Sequence, residues 1–238
     1  MLLKKYILMA GIMFLSAMMA QSSAATEIAK VTGEVKVRRG LDEKWQNAFA
    51  GMMLKNIDTI LSLEGEVVLR MDDGTTFHLG SHSILDIGDL RRITRQEMFL
   101  YLMAQKVDKI QPRGEKARLH VGNVSVVHGE KVLAPAKAPG DRASTNWLWS
   151  LNAARAMYEQ NLYPNTIVSL HKLLSRFSQP NDCGEIHLYM GRAFEKLDEA
   201  GQALDAYQLA AARCSRCQSV EADRIAAEAR TAITRLSE

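Results

Sequence analysis

The chain lacks an excess of either charge: 30 Lys and Arg stand against 27 Asp and Glu. A phosphate backbone is held by a concentrated basic face. The only local basic cluster, Arg91, Arg92 and Arg95, reads as a solvated helix start, so nucleic acid is excluded as a partner. Long apolar runs are missing too, with one exception. The chain opens MLLKKYILMAGIMFLSAMMAQSSAATE, where Lys4 and Lys5 precede an apolar run from Tyr6 to Ala20 and small residues follow. That run is short for a membrane-spanning helix, and Ser22, Ser23 and Ala24 suit cleavage after Ala24. Residues 1–24 are therefore expected to be a secretory signal peptide, the chain's only contact with a membrane. No cysteine stands near that point, which argues against a lipid anchor. Taking Lys4 and Lys5 from the 30 basic residues leaves 28 against 27 acidic ones, so the mature chain is expected to be nearly neutral.

Reactive constellations are equally scarce. His78 and His82 are separated by three residues, but Gly80 interrupts the strand between them and no third ligand is placed, so no metal site is expected. Ser81 and Ser83 flank His82 without the glycine-bounded turn that exposes a nucleophilic serine, which argues against a hydrolase triad. No catalytic residue and no cofactor is expected, and the two histidines read as surface residues of a sheet.

The stretch EGEVVLRMDDGTTFHLGSHSILDI shows what is present instead. Alternation on both sides of Asp72-Asp73-Gly74 marks two half-buried strands. A two-residue turn would set Arg70 against Phe77 and Leu69 against His78, mixing charged and apolar groups on each face. A three-residue loop, with Gly74 in the left-handed bulge position, sets Met71 by Thr75, Leu69 by Phe77 and Val67 by Leu79. One face is then apolar, Arg70, Thr76 and His78 occupy the other, and the aspartates are turn formers.

The two halves of the chain have different periods. From Ile28 to about Ile93, short alternating segments punctuated by Gly33, Gly40, Gly51, Gly65, Gly74 and Gly88 predict a small sandwich or rolled sheet. RQEMFLYLMAQKVDKIQPR then has helical spacing, which predicts a helix near 95–110 ended by Pro112. KARLHVGNVSVVHGEKV returns to a strand pattern, most economically placed on the same sheet. A β-domain over 25–133 and a linker over 134–145, rich in Ala, Pro, Lys and Gly, follow from this. After Asn146 only helical spacing remains. Five helices are expected, near 146–160, 163–177, 184–197, 200–213 and 219–236, forming a helical domain over 146–238 with short loops and antiparallel neighbours. The fold class is thus α+β in two domains.

In EIHLYMGRAFEKLDEAGQALDAYQLAAARC, the residues Gly191, Phe194, Ala203, Leu204, Tyr207 and Ala210 resemble the packing residues of a tetratricopeptide repeat. His187 stands at the usual aromatic near the repeat start and Ser215 at the usual closing proline. An earlier copy, with Ala154, Tyr163, Leu170 and Leu173, carries Thr166 where a small alanine is usual. The helix after Cys217 reads as a solvating cap. The N-terminal half resembles the periplasmic domain of the FecR family in Gly33-Glu34-Val35 with Val37, Trp45, Gly51, Asn56-Ile57-Asp58-Thr59-Ile60, Asp73-Gly74, and Ser83 with Leu85 and Ile87. VSVVHGEKV is similar to that family's last strand, with His128 and Glu130 where Arg and Thr are usual. Family members signal through a cytoplasmic arm before the membrane helix. Only Met1 to Lys5 precede the apolar run here, so that role is not expected to carry over.

These resemblances imply surfaces for docking. In stacked repeats the first helix of each pair lines the concave face, which selects Leu148, Leu151, Arg155 and Tyr158 from one copy and Glu185, Leu188, Arg192 and Glu195 from the next. For an exported chain, Cys183 before the first helix of the clear repeat and Cys214 at the end of its second are expected to form a disulfide, with Cys217 competing for Cys183. Cys214-x-x-Cys217 lacks the strand and helix of a thioredoxin-like redox pair. The expected function is a non-enzymatic periplasmic adaptor that binds an envelope protein or peptide. The alternative is a module binding cell-wall glycan or peptidoglycan through Arg70, Thr76, His78 and Trp45.

Overall fold

The structure, a computed structural model, describes residues 26–107, 146–177 and 180–238. The expected signal peptide, the strand pattern around 116–132 and the linker lie outside the described residues. What is described is a mixed α+β fold: a six-stranded antiparallel sheet followed, among the described residues, by six α-helices.

Two long strands, β1 (Thr26–Arg38) and β4 (Thr59–Arg70), pair along nearly their whole length. Each carries short neighbours at its two ends. β3 (Met53–Leu54) pairs with the start of β1 and β2 (Trp45–Asn47) with its end. β6 (Ser83–Asp86) pairs with the start of β4 and β5 (Thr76–Leu79) with its end. The register shifts between Ile28 and Lys30 and again between Gly33 and Val35. These bulges let Ile28 from one half and Val35 and Val37 from the other reach one core, shared with Ile60, Val67, Leu69, Phe77, Leu79 and Leu85. Gly33 and Gly65 meet at the bend. A side chain on Gly33 would strike the Glu64 carbonyl and lie 2.8 Å from the Gly65 Cα, and one on Gly65 would strike the Thr32 carbonyl. Only two glycines let these backbones approach so closely.

The β4–β5 hairpin has the register its alternation predicts: Val67 faces Leu79 and Leu69 faces Phe77. The Met71 N–H donates to the Thr75 carbonyl at 2.8 Å, and Gly74 closes the loop at φ +80°. Asp73 Oδ1 accepts from the Thr75 N–H at 2.8 Å, the turn-forming role expected of it. Arg70, Thr76 and His78 are exposed.

A short 3-10 turn, Ile87–Leu90, leads to α1 (Arg95–Val107). Thr94 and Glu97 cap this helix reciprocally: the Thr94 N–H donates to Glu97 Oε2 at 2.8 Å, and the Glu97 N–H to Thr94 Oγ1 at 3.2 Å. The helices α2 (Asn146–Glu159), α3 (Tyr163–Arg176), α4 (Glu185–Lys196), α5 (Ala200–Cys214) and α6 (Val220–Ser237) start and end within about a residue of the limits their apolar spacing predicts. Successive helices pack against one another. A Cβ on Gly191 would sit 2.7 Å from the Tyr207 ring, so the missing side chain lets α4 and α5 approach.

Helix α2 belongs to two cores. Leu151 and Ala154 belong to the core that α2 shares with α3 and α4, whereas Ala153 and Met157 complete the core of the sheet. Polar ties flank this seam. Asn152 Nδ2 donates to the His82 carbonyl at 2.8 Å, Asn165 Nδ2 to the Asp89 and Arg91 carbonyls at 2.6 and 2.7 Å, and Lys172 pairs with Asp89 at 2.5 Å. The Gln160 amide caps the outer edge of β5, accepting from the His78 N–H at 2.7 Å and donating to its carbonyl at 2.8 Å.

Candidate partner-binding face

On α4, Glu185, Leu188, Arg192 and Glu195 recur every three or four residues and share one stripe. Glu221, Arg224, Glu228, Thr231 and Arg235 do the same on α6. The stripes converge with Tyr158 of α2 and Tyr207 of α5 on an open cleft of about 440 Å³, lined also by Lys196.

The cleft's charged groups are held by one another. Arg192 reaches Glu228 with two hydrogen bonds, of 2.6 and 2.5 Å, and its guanidinium lies 5.0 Å from the centre of the Tyr189 ring. Glu195 accepts from the Tyr207 hydroxyl at 2.9 Å and from Arg235 at 2.6 Å. The Tyr158 ring meets Tyr163 at a tilt, 5.5 Å between centres, and Tyr189 edge-to-face at 5.6 Å. Burial raises the Tyr158 phenol, and burial, then the hydrogen-bonded Glu195 carboxylate, raises that of Tyr207. Lys196 is exposed.

Three of the eight residues selected from the sequence, Tyr158, Arg192 and Glu195, line this cleft. Arg155 and Glu185 form an ion pair bridging α2 and α4, with Arg155 also stacked on Tyr189 at 5.7 Å. Leu148 is half-buried against the helical core. Leu151 and Leu188 are 0% exposed and cannot present a binding surface. Their place on the stripe is the part that turns inward, because neighbouring helices close over it and apolar side chains there are buried. Sequence reasoning missed Glu228, Thr231 and Arg235, because α6 read as a solvating cap; their three-to-four-residue spacing was the available signal.

No family model, curated protein or solved structure matches the chain. The cleft's character rests on its own residues.

A second depression of about 470 Å³ lies between the sheet and α2, bordered by Glu66, His78, Ser81, Asn152, Arg155 and Glu159. His82 stands apart at φ +52°, edge-on to Trp149 at 6.4 Å. Among the described residues no three His, Cys, Asp or Glu side chains gather as metal ligands. Of the residues considered for sugar binding, Arg70, Thr76 and His78 share the exposed face of the β4–β5 pair, and Trp45 lies apart from them. Trp45 is half-buried under the Arg38 guanidinium, 5.4 Å away, on β2. Arg70 pairs with Glu27 at 3.0 Å, and Thr76 and His78 lie on β5, at the other end of the strand order.

The disulfide joins Cys183 to Cys217, the competing partner, and not to Cys214 as first expected. Cys214 lies on the inner face at the end of α5, 4% exposed, where its thiol donates to the Cys183 carbonyl at 2.9 Å. Cys217, in the following turn, is half-buried and bonded to Cys183. A cysteine in the helix's last inward position packs, and one in the turn beyond it is free to bridge.

Proposed function

We propose that the protein is an exported, non-enzymatic adaptor of the bacterial cell envelope. In this reading a FecR-like sheet contacts one envelope component, and a short tetratricopeptide-like face binds a protein or peptide. The observation that carries it is the cleft lined by α2, α4 and α6, the first helices of successive pairs, together with Tyr207 of α5, its tyrosines and charged groups held by mutual contacts. A preorganised polar and aromatic surface loses little side-chain freedom on binding. Two further features agree with it. The Asn56-Ile57-Asp58 turn that resembles the FecR pattern is held by Asp58, which accepts from the Lys55 and Gly40 N–H groups, both at 2.9 Å, and from Arg39 at 2.8 Å. Burial disfavours that carboxylate, yet these bonds outweigh it and hold Asp58 below its usual range. A disulfide between Cys183 and Cys217 suits an oxidising compartment such as the periplasm.

The test uses the full chain as bait in a detergent-solubilised envelope fraction. A specific partner should be retained by the wild type and by Gln208→Glu, on the outer face of α5, but lost with Arg235→Glu in the cleft. A partner retained by all three, or none at all, counts against the adaptor. Sedimentation of the purified protein with cell wall would favour the glycan-binding alternative.

A further inference from the structure

Three cysteines meet at one corner of the helical region, and none of them lines the cleft of the proposed adaptor. Cys183, in the loop before α4, is bonded to Cys217, in the turn between α5 and α6. Cys214 is a free thiol hydrogen-bonded to the carbonyl of Cys183 itself. It lies against the next residue as well: a side chain on Gly184 would come within 3.0 Å of its sulfur. A thiol and a disulfide thus share one small space, with the Cys214 sulfur held at the backbone of Cys183 and Gly184.

We propose that Cys214 is the resolving thiol of an internal disulfide exchange that moves the bond of Cys183 from Cys217 to Cys214. The Cys214 thiol loses its proton to solvent base, and the resulting thiolate attacks the Cys183 sulfur. The Cys183–Cys214 bond forms as the Cys183–Cys217 bond breaks. The electron pair leaves on Cys217, which takes up a proton. No external oxidant or reductant is consumed, because one disulfide and one thiol stand on each side. Attack requires the thiolate, and burial first, then the Asp182 carboxylate, pushes the Cys214 thiol above its ordinary range. The exchange is therefore held back near neutrality and awaits local opening of the corner.

The consequence falls on α6. In the observed state the disulfide ties the loop before α4 to the turn just ahead of Val220, where α6 begins. After exchange the staple ends on α5 and the turn leading into α6 is released. Since α6 supplies Glu228, Thr231 and Arg235 to the cleft, the bond's position sets how firmly one wall of it is tethered.

The test is a disulfide map. Native wild-type protein is incubated between pH 7 and 9, trapped with iodoacetamide, digested without reduction and read by mass spectrometry. The expected result is carboxamidomethyl label on Cys217 with a Cys183–Cys214 bond, its formation rate rising about tenfold per pH unit, as thiolate attack requires. Cys214→Ser should abolish it. Label on Cys214 with the Cys183–Cys217 bond intact throughout, or label on Cys183 with a Cys214–Cys217 bond, would overturn the proposal. A second arm uses Cys217→Ser, oxidised with glutathione disulfide and checked for native circular dichroism. It should form Cys183–Cys214. Two free thiols, or glutathione left on Cys183 in the folded variant, would also overturn it.

Discussion

At the scale of single residues, the structure ties specific side chains to measurable penalties. His187, at the start of α4, is 6% exposed, and its Nδ1 has no hydrogen-bond partner among the described residues. Burial, then the nearby Arg213, lowers its pKa from 6.5 to about 4. The unfolded chain therefore binds this proton first. Stability present above pH 6.5 should fall as the pH drops toward about 4 and level off below it, for a loss of about 3 kcal/mol. Urea denaturation across that window checks this, and His187→Leu should remove the slope that His187 contributes. A variant with the same slope as the wild type would show that another group is responsible. Gly191→Ala makes a different demand. The added methyl would lie 2.7 Å from the Tyr207 ring, forcing a shift that also disturbs the bond from Tyr207 to Glu195. Overpacking of about 1–3 kcal/mol opposes a gain in helix propensity of up to about 1 kcal/mol, so a net loss of stability is expected in chemical denaturation.

At the scale of elements, the Gly33–Gly65 crossing joins the two halves of the sheet, and there is no side chain to move out of the way. Gly33→Ala must push one backbone off another, in addition to straining φ +73°. Expression should yield little soluble protein, whereas Gly74→Ala, at φ +80° but facing open space, should cost only about 1 kcal/mol and keep the fold. Equal behaviour of the two variants would contradict this view of the bend. The elements themselves were legible because their signals are local. Apolar spacing set the five C-terminal helices, and the mismatch of Arg70 with Phe77 ruled out the wrong hairpin register. The crossing glycines were visible only as loop punctuation, because their close approach is set by residues about thirty positions apart, beyond the reach of any local pattern. The charged stripe of α6 was misjudged for the same reason: nothing in the helix itself says that Arg192 and Glu195 face it. Leu151 and Leu188 show the converse, since a stripe drawn from spacing does not say which of its members the next helix covers.

At the scale of the whole molecule, α2 makes the sheet and the helices one body. Met157, 0% exposed, lies in the core of the sheet although it belongs to a helix that also packs on α3 and α4. Met157→Ala should cost about 2–5 kcal/mol through the cavity it leaves. It should lower amide protection in β4 and α5 together, as read by hydrogen exchange; loss confined to the sheet would mean that the two cores are independent. A joined frame also bears on the proposed function, because the helix that supplies Tyr158 to the cleft is the one whose Met157 completes the core of the sheet. The most direct test of the adaptor is a photo-crosslinking residue placed in turn at Thr231, inside the cleft, and at Gln208, exposed on the outer face of α5, in intact cells. Illumination should give a discrete adduct of higher mass from position 231 and none from 208. No adduct at 231, or the same adducts from both positions, would contradict the account.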